Sequence, residues 1–160
     1  MLKPAIFYAP KLQERFAENI FTDRFKFYFR DPCVDYFIPV YQNSGDMLQF
    51  VSLDNQGDVI GYFGARINRE TDTAQDLVMI NFREPNNTFA LDFRDFFLSL
   101  FEKFGAKRVV WWVIVGNPAE ALYDKAAKRH GGRVVGTFKN DTKLFDGQLY
   151  DVKWYELFKV

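Results

Sequence analysis

The 160-residue chain has few of the residues that build metal sites and disulfide frameworks. It contains one cysteine, Cys33, and one histidine, His130. A single cysteine cannot form an internal disulfide, and zinc sites draw on several nitrogen and sulfur ligands. We therefore expect no disulfide scaffold and no metal site, and we expect a reducing, cytoplasmic location.

Long apolar runs and a charge excess are also missing. The longest uninterrupted apolar run covers residues 109–115, whereas a membrane helix needs about 20 residues. The 21 basic residues are balanced by 21 acidic residues, and proteins that bind phosphate backbones usually carry a basic excess. The sequence therefore predicts neither a membrane segment nor a nucleic-acid partner.

Aromatic residues, in contrast, are abundant: they make up 19% of the chain, and 19 of them are phenylalanine. Most are expected in the core, and others could line an apolar ligand pocket or a dimer face. A homodimer is compatible with this composition. The length suits one domain spanning residues 1–160.

The first third of the sequence has a helical pattern. Leu12, Phe16 and Ile20 recur at the spacing of one helix face. A short aromatic stretch, Phe25 to Phe29, predicts a second helical element. It ends before Asp31-Pro32, because proline disfavours helix in the residue before it.

The middle of the chain predicts three strands joined by short polar turns, over residues 48–53, 59–67 and 76–82. The apolar spacing of residues 89–104 predicts a helix. Residues 108–115 form an apolar run without alternation, which is typical of a strand buried on both faces. This strand–helix–strand order is a parallel βαβ unit.

A third long helix is predicted between Asn117 and the pair Gly131-Gly132, and a final hairpin pairs residues 134–138 with residues 150–158. The order is α-α-β-β-β-α-β-α-β-β. We therefore predict an α/β fold with a mixed sheet that is mostly antiparallel and contains one parallel step.

This order resembles the GNAT superfamily of acyl-coenzyme A-dependent N-acetyltransferases, from about Ala9 to Lys159. In GNAT proteins the loop before the central helix reads Q/R-x-x-G-x-G/A, and its main-chain amides hold the pyrophosphate of coenzyme A. In the segment FREPNNTFALDF, Arg83 takes the first position, Asn86 the first glycine and Thr88 the Gly/Ala position. A helix N-terminus presents unpaired N–H groups to an anion. The resemblance implies a pyrophosphate site made of Arg83, Asn86, Asn87, Thr88, Phe89 and Ala90. The alternative is an ordinary capped helix without a ligand.

The resemblance also implies a splayed gap between the third strand and the strand of residues 108–115. The main chain of the segment from Met79 to Phe82, including Ile80 and Phe82, would line the pantetheine arm there. Asn117 would bind the same arm, and Tyr123 would donate a proton to the departing thiolate. Alternatively, Asn117 caps its helix and Tyr123 packs on the sheet.

The reaction implied is transfer of an acetyl or other acyl group from acetyl-coenzyme A to an amine of a small molecule or peptide. Asp76 and Glu84 are the candidate general bases, and residues 25–29 lie where GNAT proteins build the acceptor wall. Two other functions remain open. One is a catalytically inactive GNAT-like binding or interaction module, and the other is a small-molecule binder that uses the aromatic cleft without coenzyme A.

Overall fold

The structure, a computed structural model, describes residues 1–28, 37–83 and 87–159. The strands are β1 (Leu2–Pro4), β2 (Met47–Leu53), β3 (Val59–Asn68), β4 (Thr73–Asn81), β5 (Arg108–Ile114), β6 (Arg133–Lys143) and β7 (Leu149–Phe158). The α-helices are α1 (Ala9–Asn19), α2 (Asn87–Glu102) and α3 (Glu120–Arg129). Two short 3-10 helices cover Ala5–Tyr8 and Asp23–Phe25.

Seven strands form one mixed sheet in the order β1-β2-β3-β4-β5-β7-β6. Every neighbouring pair is antiparallel except β4 and β5, which are parallel. The predicted mixed α/β fold with one parallel step is therefore confirmed. The strands β4 and β5 pair at only two positions, Thr73 with Arg108 and Ala74 with Val109. Beyond these positions the two strands diverge and leave a crevice in the centre of the sheet.

Helices cover both faces of the sheet. On one face, Phe96 and Leu100 of α2 and Ala127 of α3 pack on a core that includes Phe63 and Trp111. On the other face, α1 packs through Leu12 and Phe16 on the remaining core. This layering places the start of α2 and the start of α3 beside the crevice, because each helix follows one of the two diverging strands.

The first third of the chain is predicted only in part. The helix that carries Leu12 and Phe16 is confirmed, and both side chains are buried. The second predicted helix is wrong in its described part, because Asp23–Phe25 forms one 3-10 turn that buries Phe25. Residues 29–36 lie outside the described residues. The strand β1 was not predicted, since it has three residues and ends in Pro4.

The last hairpin and the strand β5 follow the prediction. The turn between β6 and β7 contains Gly147 at a φ of 76°, a conformation that glycine adopts without strain. In β5, Trp111 packs under α2 and α3, whereas Trp112 packs on the opposite face. Among the described helices, none has the length and apolar character required to cross a membrane.

Candidate functional site

The crevice between β4 and β5 opens into a cavity of about 480 Å³. Four elements line it: the end of β4, the first turns of α2, the start of α3, and the 3-10 turn after α1. Its lining residues are Asp23, Arg24, Phe27, Tyr28, Met79, Asn81, Phe89, Ala90, Phe93, Asn117, Pro118, Ala119, Leu122 and Tyr123. The volume lies in the range of small-ligand pockets, about 300–1,000 Å³.

The main chain of β4 presents polar groups to this crevice. The N–H of Phe82 donates to the Ile60 carbonyl of β3 at 3.0 Å. Antiparallel strands alternate between residues bonded to the partner and residues directed away from it. In the register of β3 and β4, the main-chain groups of Ile80 therefore also face β3, and those of Met79 and Asn81 face the crevice.

The alternation changes which residues of β4 can hold a ligand. The side chains of Ile80 and Phe82 are buried in the core beneath α1. Within the predicted segment 79–82, the crevice-facing main-chain groups thus belong to Met79 and Asn81, whereas those of Ile80 and Phe82 face β3. A shift of one residue is sufficient for this difference, because strand residues have a period of two.

At the start of α2, Phe89 and Ala90 line the cavity, as part of the predicted pyrophosphate loop. The Phe89 ring stacks on Phe63, with centroids 4.8 Å apart, and lies directly over Gly61. A side chain at Gly61 would collide with this ring. The glycine therefore makes room for a bulky residue in the first helical turn.

The other residues of the predicted loop lie differently. Asn87 is exposed and Thr88 is half-buried, and neither contributes to the cavity lining. Asn86 lies outside the described residues. The Arg83 guanidinium forms an ion pair with the Asp54 carboxylate at 2.6 Å, and it does not line the cavity.

Asn117 combines the two roles considered for it. Its Oδ1 accepts the N–H of Ala119 at 2.9 Å, which caps the turn that leads into α3. The same residue lines the cavity. The preceding residue, Gly116, has a φ of 92°, and this turns the chain sharply from β5 into the helix.

Tyr123 lies at the inner end of the cavity, on the first turn of α3. Its ring meets the rings of Trp111 and Tyr155 edge-on, with centroids 6.4 Å and 6.2 Å away. Burial, followed by the nearby phenols of Tyr28 and Tyr155, raises the pKa of Tyr123 above its ordinary value. No described residue forms a hydrogen bond with its hydroxyl. The phenol is therefore protonated at neutral pH, and its proton is available to a ligand.

The 3-10 turn supplies residues that the sequence did not single out. Arg24 donates to the carbonyls of Asn81 at 3.0 Å and Phe82 at 3.2 Å, and so joins the turn to the end of β4. Asp23 is the only acidic residue of the described cavity lining. The contact between Arg24 and Phe82 spans 58 residues of sequence, and no local motif signals it.

The predicted bases do not occupy the described cavity. The Asp76 carboxylate is exposed and forms an ion pair with Arg66 at 3.1 Å. Glu84 lies outside the described residues. Asp92, in the first half of α2, points away from the crevice and accepts the Ser52 hydroxyl at 2.7 Å. Within the described residues, no cluster of three His, Cys, Asp or Glu side chains could hold a metal ion.

No protein-family model matches the sequence, and no curated protein matches it either. Solved structures do match. A candidate phosphinothricin N-acetyltransferase aligns over 99% of this chain and 97% of its own, with 14% identity and a TM-score of 0.74. A GCN5-related N-acetyltransferase from Brucella melitensis aligns over 98% of this chain and 74% of its own, with 20% identity and a TM-score of 0.66.

The spermidine/spermine N-acetyltransferase SpeG from Vibrio cholerae aligns over 71% of this chain, with 20% identity and a TM-score of 0.59. The match covers 65% of SpeG, so this chain spans less than two thirds of that protein's length. These neighbours are acetyltransferases, and the chain has the GNAT fold that its sequence resembles.

Proposed function

We propose that the protein is an acyl-coenzyme A-dependent N-acyltransferase, which moves an acetyl or other acyl group to an amine of a small molecule or peptide. One observation carries the proposal. The parallel strands β4 and β5 separate after two paired positions, and the resulting crevice contains a protonated tyrosine without a hydrogen-bond partner among the described residues.

The residues around the crevice fit acyl-coenzyme A, which would supply the acyl group as a thioester. The pantetheine arm is narrow and contains two amides, and on one wall the crevice offers the N–H groups of Met79 and Asn81, which the register directs away from β3. Asn117 offers an amide side chain on the opposite wall. The first turn of α2, with Phe89 and Ala90, offers helix N–H groups to the pyrophosphate.

Tyr123 is the residue that we assign as the general acid. As the amine nitrogen bonds to the acyl carbon and the carbon–sulfur bond breaks, the Tyr123 Oη gives its proton to the sulfur. Its raised pKa keeps the phenol protonated at neutral pH, so the proton is present when the sulfur departs. The same burial disfavours a free thiolate in the crevice, so the sulfur also gains affinity for the proton.

Asp23 is the residue that we assign to the amine. An exposed carboxylate in the cavity lining attracts an ammonium group and can accept the proton that the amine must lose before it attacks. Phe27 and Tyr28 line the same side and present aromatic faces to a cation. The acceptor that fits best is therefore a cationic amine with an apolar or extended body.

Two broader properties accompany the proposal. We place the protein in the cytoplasm, on the basis of its single cysteine. We also propose a homodimer, because β6 is an edge strand that exposes Val134, Val135 and Phe138.

The experiment is a thiol-release assay with acetyl-coenzyme A and a panel of mono-, di- and polyamines, with the product identified by mass. We expect amine-dependent thiol release and an acetylated amine. Coenzyme A binding without turnover on any amine would contradict the proposal and would support the inactive binding module. Absence of coenzyme A binding would support the binder that works without it.

A further inference from the structure

A second cavity adjoins the crevice. It is a groove of about 610 Å³ between α2 and α3, and we call it the interhelical groove. Its lining includes Met79, Phe93, Leu98, Trp111, Tyr123 and Ala126. The lining is mostly apolar; its charged residues are Arg94 in the middle of α2, Glu102 and Arg129 at the ends of the two helices, and Lys159 after β7.

The interhelical groove begins where the proposed chemistry takes place. Met79, Phe93 and Tyr123 line both the crevice and the groove. The residue assigned to protonate the sulfur is therefore also the first residue of the groove. A group attached to the thioester carbon can enter the groove from this point without crossing the sheet.

The floor of the groove contains a second sign of a ligand. Trp111 is 3% exposed, and its Nε1–H has no hydrogen-bond acceptor among the residues that the structure describes. A buried donor without an acceptor is costly, and native structures usually satisfy it. Trp111 lies beside Tyr123 in the groove lining. A thioester bound at Tyr123 would therefore bring its carbonyl oxygen, a hydrogen-bond acceptor, close to Trp111.

We propose that the interhelical groove binds the hydrocarbon chain of the acyl donor, so that the enzyme prefers a medium- or long-chain acyl-coenzyme A to acetyl-coenzyme A. The inference rests on the proposed function and extends it to the class of donor. Three ligand parts would meet at Tyr123. The pantetheine arm would enter between the first turns of α2 and α3, the acyl chain would continue into the groove, and the amine would approach past Asp23.

Direct binding is the first test. Dissociation constants of coenzyme A, acetyl-coenzyme A and octanoyl-coenzyme A are measured by calorimetry. Burying one methylene contributes about 0.8 kcal/mol, or about a fourfold gain in affinity. Across the six additional methylenes of octanoyl-coenzyme A, we expect a gain of about 100-fold or more over acetyl-coenzyme A, since partial burial reduces the full sum.

Two groove variants, each with a control variant, test whether the gain in affinity for octanoyl-coenzyme A arises in the groove. Ala126→Trp fills the groove from α3, and Lys125→Trp places the same ring on the exposed side of that helix as a control. Leu98→Asp places a charge in the groove from α2, and Phe7→Asp places one at an exposed position outside both cavities as a control. Both groove variants should lower octanoyl-coenzyme A affinity by at least tenfold and leave acetyl-coenzyme A affinity unchanged, whereas both controls should change neither.

The outcomes separate the two proposals. If coenzyme A and acetyl-coenzyme A bind but octanoyl-coenzyme A binds no more tightly, the groove proposal is wrong and the proposed function stands. If no coenzyme A derivative binds, both are wrong. If the groove variants change sedimentation behaviour but leave octanoyl-coenzyme A affinity intact, the groove is an interface between two copies of the chain, and the acyl-chain proposal is overturned.

Discussion

The two edges of β5 differ in how completely their main chain is paired. Toward β7, seven consecutive positions from Arg108 to Ile114 pair in antiparallel register. Toward β4, only Arg108 and Val109 have partners. One edge therefore stabilises the fold, and the other leaves polar groups at the crevice, which would be costly if buried without a ligand or water.

The tyrosines on the two sides of this strand show the same contrast. Tyr155 of β7 is fully buried, and its hydroxyl donates to the Asp124 carboxylate at 2.9 Å. Tyr123 lies with its ring centroid 6.2 Å away, and its hydroxyl has no partner among the described residues. The contrast separates a tyrosine with a structural role from one that is available for chemistry.

The largest effect is expected at Tyr123. Tyr123→Phe keeps the ring and removes the proton, so kcat should fall by about 100-fold, as is typical for loss of a general acid. The free energy of unfolding should be nearly unchanged, since the hydroxyl makes no described hydrogen bond. Steady-state kinetics and urea unfolding of the same preparation measure the two quantities, and an unchanged kcat would remove the assigned role.

Asp23 offers a second test, in the cavity at the edge of β5 that faces β4. Asp23→Asn removes the charge that we assign to the ammonium group, and KM for the amine should rise by about tenfold, as expected for loss of a charged hydrogen bond. Asp95→Asn is the control, because Asp95 is an exposed carboxylate on α2 outside the cavity. Equal KM values for both variants would mean that Asp23 does not contact the acceptor.

On the paired side, Tyr155→Phe should affect stability and not catalysis. The variant loses the hydrogen bond to Asp124 and should lower the free energy of unfolding by about 1 kcal/mol. Its kcat should remain within about twofold of the unmodified protein, since the ring that supports Tyr123 is retained. A loss of kcat as large as that of Tyr123→Phe would show that the two sides of β5 are not separate in function.

The smallest effect concerns the turn of the last hairpin, which contacts the segment after α1. Lys26 bonds to Asp146 at 2.8 Å, and this bond, with those from Tyr150 and the main chain, lowers the pKa of Asp146 to about 2. A carboxyl group whose pKa is lower in the folded protein than in the unfolded chain stabilises the fold at pH values above the unfolded-state pKa. This stabilisation is lost as the pH falls toward the pKa of the folded protein. The melting temperature of Asp146→Asn should therefore lie slightly below that of the unmodified protein at pH 6.

The pH dependence checks this interpretation. The difference in melting temperature between the two proteins should shrink as the pH is lowered from about 6 to about 3, because the Asp146 carboxyl group takes up a proton in the unfolded chain before it does so in the folded protein. A difference that stays constant over this range would mean that the ion pair with Lys26 does not stabilise the fold.

The sequence predicts the elements better than it predicts the site. The helix face of Leu12 and Phe16 and the apolar run of β5 are local patterns, and the structure confirms both. The orientation of the β4 main chain is not local, since it depends on the register with β3 and reverses with a shift of one residue. For this reason the sequence identified the segment 79–82, but the structure shows that Met79 and Asn81, and not Ile80 and Phe82, direct their main-chain groups to the crevice.

The acceptor side of the cavity shows a second limit. Arg24 joins the end of β4 through hydrogen bonds that span 57 and 58 residues. This contact brings Asp23 and Tyr28 to the crevice, yet their own sequence neighbourhood indicates only a short aromatic element. Asn117 and Tyr123 were predicted because they come after β5, close to the positions implied by the resemblance to the GNAT superfamily, although six residues separate them where seven is common.

The central claim is that the unpaired edge of β4 holds the pantetheine arm. Residue-resolved amide hydrogen exchange, with and without saturating coenzyme A, tests it most directly. The account predicts that coenzyme A slows exchange at Met79 and Asn81, and leaves exchange unchanged at the β5 amides that bond to β7, such as Val113. If coenzyme A binds but exchange at Met79 and Asn81 stays unchanged, or if protection appears only elsewhere in the protein, the pantetheine arm does not lie along this edge of β4.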